Sequence, residues 1–274
     1  MSRNIVKAKL DIIFKKLFTD KGNEGILQAF LADTLDIPYE SINNIIVLNP
    51  ELMPENAIEK YSRMDIKMTV DGNRLINVEM QIKDEGDYKE RSLYYLSKLY
   101  GNQLKSGEEY KKLNQCISIN VLNFNLFECD DYHSSFSMRE DKRNTVLTDK
   151  FIAHYFELKK IGKNVDKNNR QALWLQLINA ETEEELDMLQ QTGVKPIQDA
   201  VVILHKMSAD EKTRELAEMR EKALHIEATE KSNARAEGIA EGRAEGRAER
   251  DNEILANLKA MGLSDEQIKQ ALGK

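Results

Sequence analysis

Residues 64–82 read MDIKMTVDGNRLINVEMQI, and the fold turns on how this stretch is read. Apolar and polar residues alternate on both sides of DGN, and Gly72 can take the positive φ that a tight hairpin turn demands. The pattern predicts two antiparallel strands folding back near Gly72. A turn there sets Asp65 roughly opposite Glu79. Side chains alternate faces with period two, so Glu79 and Gln81 point one way while Val78 and Met80 point the other.

Upstream, LDIIFKKLFTD (10–20) places Leu10, Ile13, Phe14, Leu17 and Phe18 at helical spacing with Lys15 and Lys16 on the other side, predicting a helix over 8–19. Gly22 stops it, Asn23 caps a second helix through EGILQAFLADTL, and NNIIVL at 43–48 reads as a first strand. Downstream of a polar loop, residues 88–107 read as a helix with Leu93, Leu96, Leu99, Tyr100 and Leu104 facing a core and Gly107 at its end. LNQCISINVLNFNLF is a long apolar strand, and FSMRED and IAHYFELKK form a further pair around a turn near 141–145. Helices, three strands, a helix and more strands make a mixed α/β core.

Beyond about residue 165 the pattern is helical. The organisation expected is a core over 1–165, a helical extension over 166–207, a charged helical linker over 208–252 and a two-helix segment over 253–274. The linker contains AEGIAEGRAEGRAER, a four-residue repeat that does not sustain a heptad seam. In the last segment Gly262 ends one helix, and Ser264 with Gln267 forms a capping box for the next.

The net charge of -7 is unevenly spread: residues 1–170 carry 26 Lys+Arg against 26 Asp+Glu, and residues 171–274 carry 14 against 21. A balanced core neither requires nor excludes DNA, which a local basic face can bind. No run of about 18 apolar residues is present and no membrane is expected. The N-terminal stretch shows no secretory signal, so the expected location is the cytoplasm. Cys116 and Cys129 have neither CxxC spacing nor a nearby His at metal spacing, which argues against a disulfide framework or a zinc site.

Asp65, Glu79 and Gln81 carry the chemistry. On a hairpin such residues can simply form the solvated face. MDIKMTV and INVEMQI, however, look like interior strands, where unpaired carboxylates are costly and two converging ones repel. A divalent cation removes both penalties, because Mg²⁺ takes hard oxygen ligands, often one or two carboxylates plus a substrate phosphate. Gln81 can orient a water or a phosphate but cannot act as a base or carry charge.

DIIFKKLF (11–18), MDIKMTVDG (64–72), INVEMQ (76–81), RSLYYLSKLYGNQLKSGEEY (91–110) and FELKK (156–160), with the Gly-Ala-Glu tail, together resemble the Rpn family of recombination-promoting nucleases and transposases, within the PD-(D/E)XK superfamily. The resemblance implies a restriction-endonuclease-like core followed by an α-helical C-terminal region. It also implies a metal-dependent DNA endonuclease acting in recombination or transposition, with Mg²⁺, or else Mn²⁺ or Ca²⁺, as cofactor. Asp65 falls on the aspartate of the PD motif, preceded by Met64 instead of Pro; Glu79 falls on the metal-binding acid; Gln81 falls where most members carry Lys. Asp11 matches a first-helix acid that in some members approaches the metal.

Lys15, Lys83, Arg91 and Tyr95 are the candidates for DNA contact, Arg91 and Tyr95 lying four apart on the helix after the hairpin. Arg91 could equally pair with Asp87. A second E-x-K, Glu157 and Lys159, would need Asp149 on the same strand and reads instead as a strand ending in solvated charge. His133 and His154 read as structural, and Trp174 as core. The alternative function is an inactive DNA-binding, oligomerising or partner-binding protein on a nuclease fold, self-associating through its C-terminal helices.

Overall fold

The computed structural model describes residues 5–48, 66–164, 166–262, 264 and 267–268. The chain divides into two units, 1–220 and 221–274.

The first unit is built on a six-stranded mixed sheet in the order β1-β2-β3-β4-β6-β5. Its strands are β1 (Ile45–Val47), β2 (Ile66–Val70), β3 (Arg74–Gln81), β4 (Gln115–Leu122), β5 (His133–Arg139) and β6 (Val146–Glu157). β1, β2 and β3 are antiparallel, β4 and β6 run parallel to β3, and β5 returns antiparallel along one edge. The hairpin forms where the sequence predicts. Ile66 pairs with Val78 and Val70 with Arg74. Asp71 (φ 52°) and Gly72 (φ 69°) both adopt left-handed backbone. A non-glycine residue tolerates that conformation best when its side chain bonds locally. The Asp71 carboxylate accepts from the amides of Asn43 and Asn44, each at 3.0 Å, and from Arg74 at 2.8 Å. The backbone donors first, then Arg74, hold its pKa below the usual range. The turn is thereby tied to the approach to β1.

Two helical layers cover the sheet. On one side α1 (Asp11–Thr19) lies against β3, with α2 (Glu24–Leu35), α4 (Arg170–Asn179) and α6 (Lys195–Ala209) behind it. Phe14, Phe18, Phe30 and Trp174 form its aromatic centre, their rings 4.6–6.3 Å apart. This layer differs from the expectation for α1, because Lys15 is only 4% exposed. The helix is enclosed on nearly every side, so its two-sided pattern did not report a solvated face. α5 (Glu183–Gln190) starts with a Thr182/Glu185 capping box, and Pro196 sits in the first turn of α6, where its missing N–H costs nothing.

On the other side α3 (Tyr88–Gly101) is the crossover between parallel β3 and β4. It ends at Gly101, not Gly107, and Leu93 is exposed at 48% instead of inward. Tyr88, Ser92 and Leu96 are the buried positions. The sheet face beneath α3 is polar, so an apolar count misidentifies the helix face turned to it.

α7 (Glu211–Ala260) is one unbroken helix of 50 residues. It passes through Gly238, Gly242 and Gly246 despite a cost of roughly 1 kcal/mol for each relative to Ala. Gly262 (φ 84°) follows it, and Ser264 and Gln267 exchange the capping bonds the sequence predicts. Among the described residues no helix is long and apolar enough to cross a membrane.

Candidate active site on the polar face of the sheet

The strand register brings a band of polar residues together beneath α3. Asn77 pairs with Lys67 on β2 and with Ser118 on β4, and Glu79 pairs with Asn120. One strand further, Asn120 pairs with Tyr155 of β6. Directly opposed residues share a face of the sheet, so Lys67, Asn77, Glu79, Gln81, Ser118, Asn120 and Tyr155 all lie on one side.

Glu79 is half-buried at the centre of this band. Asn77 Nδ2 donates to its Oε1 at 2.9 Å, and the Tyr88 hydroxyl donates to its Oε2 at 3.2 Å. Tyr88 also reaches Asn120 Oδ1 at 2.9 Å, so one phenolic proton serves two acceptors. Asn120 is fixed in turn: Ser118 Oγ donates to its Oδ1 at 3.2 Å, and its Nδ2 donates to the His154 carbonyl at 2.9 Å. Burial, followed by the Glu79 carboxylate, raises the Tyr88 pKa well above the usual range and keeps the hydroxyl a proton donor. Asn77 Oδ1 is buried without a hydrogen-bond partner. Gln81 shares the face of Glu79 and donates from Nε2 to the Lys83 carbonyl at 3.1 Å, leaving its own carbonyl oxygen available as an acceptor.

Two further groups hold the loop after β4 over this site. Glu157, expected in solvated charge, is fully buried. It accepts from the amides of Leu126 and Phe127 and pairs with Lys160 at 2.7 Å, not with Lys159. That loop sets Phe124 edge-on to Tyr88, with ring centroids 5.8 Å apart, and Phe127 edge-on to Tyr155 at 5.4 Å.

The remaining predicted site residues are placed as follows. Asp65 lies outside the described residues. Asp11 does not join the polar band: its carboxylate is gripped by Arg220 of α7 through Nε at 3.0 and 3.1 Å and Nη2 at 2.7 Å, and also accepts from the Ile12 amide. Lys15, expected on a DNA-facing surface, is buried in the helical layer. Lys83 is half-buried just past β3. Arg91 pairs with Glu85 at 2.9 Å, not with Asp87, and stacks 5.1 Å from the Tyr88 ring centroid. Tyr95 is exposed beside Tyr94. The two histidines form a stacked pair, His133 Nε2 lying 3.0 Å from His154 Nδ1.

Sequence reasoning missed Asn77 and Tyr88 as partners of Glu79, and Asn120 and Ser118 behind Tyr88. The available signal was the period-two recurrence of polar residues inside apolar strands, in INVEMQ and again in CISINVL. Among the described residues no cluster of three or more His, Cys, Asp or Glu side chains gathers.

The fold is a mixed α/β core in which an antiparallel hairpin, with a Glu-x-Gln on its return strand, feeds a parallel β-α-β crossover. The chain belongs to the PD-(D/E)XK nuclease family transposases, whose family model matches residues 8–234. Comparison with curated proteins and with solved structures gives no match. Membership extends through the first part of α7, so the root of that helix belongs to the family's architecture.

Proposed function

We propose that the chain is a divalent-metal-dependent DNA endonuclease acting in recombination or transposition, with Asp65, Glu79 and Gln81 at its centre and the cytoplasm as its location. The observation that carries the reading is a half-buried carboxylate, Glu79, oriented by Asn77 and Tyr88 on the motif of a nuclease family. Ile66 pairs with Val78, and in the sequence Asp65 directly precedes the first while Glu79 directly follows the second.

The donor set fits a hard cation of the Mg²⁺ class. It offers carboxylate oxygens, the amide oxygen of Gln81 and the unpartnered Oδ1 of Asn77, with no sulfur or imidazole among the described residues of the band. Asp65 and Glu79 would hold the ion. When bound, it supplies charge neutralisation at a phosphodiester and acidifies a water. The protein's part is orientation. Asn77 and Tyr88 fix the rotamer of Glu79, Asn120 fixes Tyr88, and Gln81 presents an oxygen to a water or an amide to a phosphate. Asp11, bound by Arg220, is assigned to holding α7 on α1. Arg91, Tyr95 and Lys83 lie at or just before α3 and serve DNA contact, whereas Lys15 is too enclosed to do so.

Supercoiled plasmid incubated with the protein and Mg²⁺ or Mn²⁺ tests this. Nicking is expected with metal, is lost with EDTA, and is lost in Asp65→Ala and Glu79→Gln while circular dichroism stays unchanged. A folded protein that binds plasmid yet never cuts it, with either metal, refutes the enzymatic reading and leaves a DNA-binding module.

A further inference from the structure

The two edges of the sheet are built differently. β1 spans 3 residues, whereas β5, the last strand of the order, spans 7. An edge strand presents a row of backbone donors and acceptors, which proteins ordinarily blunt with Lys, Pro, inward charge, a bulge or a covering element. β5 reads HSSFSMR, with no Lys, Pro or acid, and its register stays regular through Ser137. Among the described residues no strand pairs with its outer side.

The ladder fixes which groups face outward. The Glu157 amide donates to the Tyr132 carbonyl at 2.8 Å, so these opposed residues form a hydrogen-bonded pair. Alternation then turns the backbones of Tyr132, Ser134 and Phe136 towards β6 and those of His133, Ser135 and Ser137 outward. The outward set is symmetric about Ser135. An antiparallel copy centred there pairs Ser135 with Ser135 and His133 with Ser137, each pair exchanging both of its backbone bonds. Phe136, 47% exposed, then lies across from Ser134, a small residue that its ring can cover. The same register sets Arg139 opposite Asp131, both exposed, on each side of the axis. Arg139 donates from Nε to Ser137 Oγ at 2.8 Å, which ties its side chain to the strand.

We propose that β5 is the interface of a homodimer, pairing antiparallel with β5 of a second copy about a two-fold axis at Ser135 and joining the two sheets edge to edge. Such a contact is isologous and closes on itself, so it stops at two copies and removes the open edge of both. Backbone bonds supply its affinity, and the Arg139–Asp131 pairs select this register over its neighbours. The proposal stands independently of the metal site at Glu79.

Sedimentation velocity of the full chain over about 1–100 µM, without metal or DNA, reads the assembly directly. The wild type is expected to pass from monomer to dimer within that range, as a small interface does. Ser135→Pro removes only an outward amide, which an edge strand tolerates. It is expected to leave circular dichroism unchanged and to weaken the dimer about 30-fold, because the central pair loses both of its bonds. The exposed charges give a second test that does not touch the backbone. Arg139→Asp and Asp131→Arg should each weaken the dimer about tenfold by opposing like charges, and the two together should restore it. A wild type that stays monomeric throughout overturns the proposal. So does a dimer that persists in folded Ser135→Pro or in both single charge variants, which would place the contact elsewhere, on α7 for instance. Should Ser135→Pro fail to fold, the charge variants decide alone, and a double variant no tighter than either single one refutes the register.

Discussion

Replacing Arg220 by Met should destabilise the first unit by about 3–5 kcal/mol, the usual cost of removing one partner of a buried ion pair. The geometry puts this pair at the costly end. Three nitrogen–oxygen contacts of 2.7–3.1 Å join Arg220 to Asp11, and the two side chains are only 8% and 9% exposed. Solvent therefore screens the attraction little, and among the described residues the carboxylate left behind keeps the Ile12 amide as its donor. Urea unfolding followed by fluorescence measures the loss, because Trp174 is the single tryptophan and is fully buried against α2 with its indole donating to Asp33 at 2.7 Å. For a unit of this size the loss corresponds to a fall in Tm of about 10 °C. Asp11→Asn combined with Arg220→Met should recover about 2 kcal/mol or more of the single variant's deficit, since no charge then remains buried. A deficit below about 1 kcal/mol, or a double variant no more stable than Arg220→Met alone, would show that the pair is not what anchors α7 on α1. Mn²⁺ affinity should be unchanged in Asp11→Asn; a clear weakening would return Asp11 to the metal.

Tyr88→Phe removes the donor to both Glu79 and Asn120 and is expected to cost about 1–2 kcal/mol in stability and about tenfold in nicking rate; wild-type kinetics would show that Glu79 needs no such support. The His133–His154 pair sets an acid dependence. Burial lowers both pKa values, that of His154 from 6.5 to about 4 with His133 as a second cause. The folded state thus favours the neutral rings, so the pair's contribution is present above pH 6.5, the unfolded value, and is lost as pH falls through the folded value near 4. Tm measured across that window should decline, with a shallower slope in His154→Gln; parallel slopes would remove the pair as the cause. A thiol reagent at pH 8 should label exposed Cys129 quickly and Cys116 only on unfolding, because burial pushes the Cys116 thiol up to about 12.

The hairpin was legible because two independent local signals agree there. Alternation marks the strands, and an Asp-Gly turn with room for positive φ fixes the register, which then places every polar residue of β3 on a known face. The two surrounding helices were legible only as helices. For α1, amphipathic spacing suggested one buried face, but a second layer of helices closes over the other and takes Asp11 and Lys15 inside. Nothing within nine residues could report that, since the partner of Asp11 is 209 positions away. The same holds for Glu157, whose neighbours in sequence look solvated while its donors come from the loop at 126–127.

The buried acids and the candidate site also explain one another. Asp11 and Glu157 are each saturated by an ion pair with backbone amides added, an arrangement that leaves no oxygen free for chemistry. Glu79 is treated differently. Among its partners are neutral donors, an amide and a phenol, which orient a carboxylate without cancelling its charge. Holding a carboxylate on a half-buried strand costs stability, and a bound cation offsets that cost, so metal binding by the resting protein should stabilise it. A rise in Tm with millimolar Mn²⁺ that disappears in Glu79→Gln is the expected outcome, and an identical rise in both proteins would place the ion elsewhere.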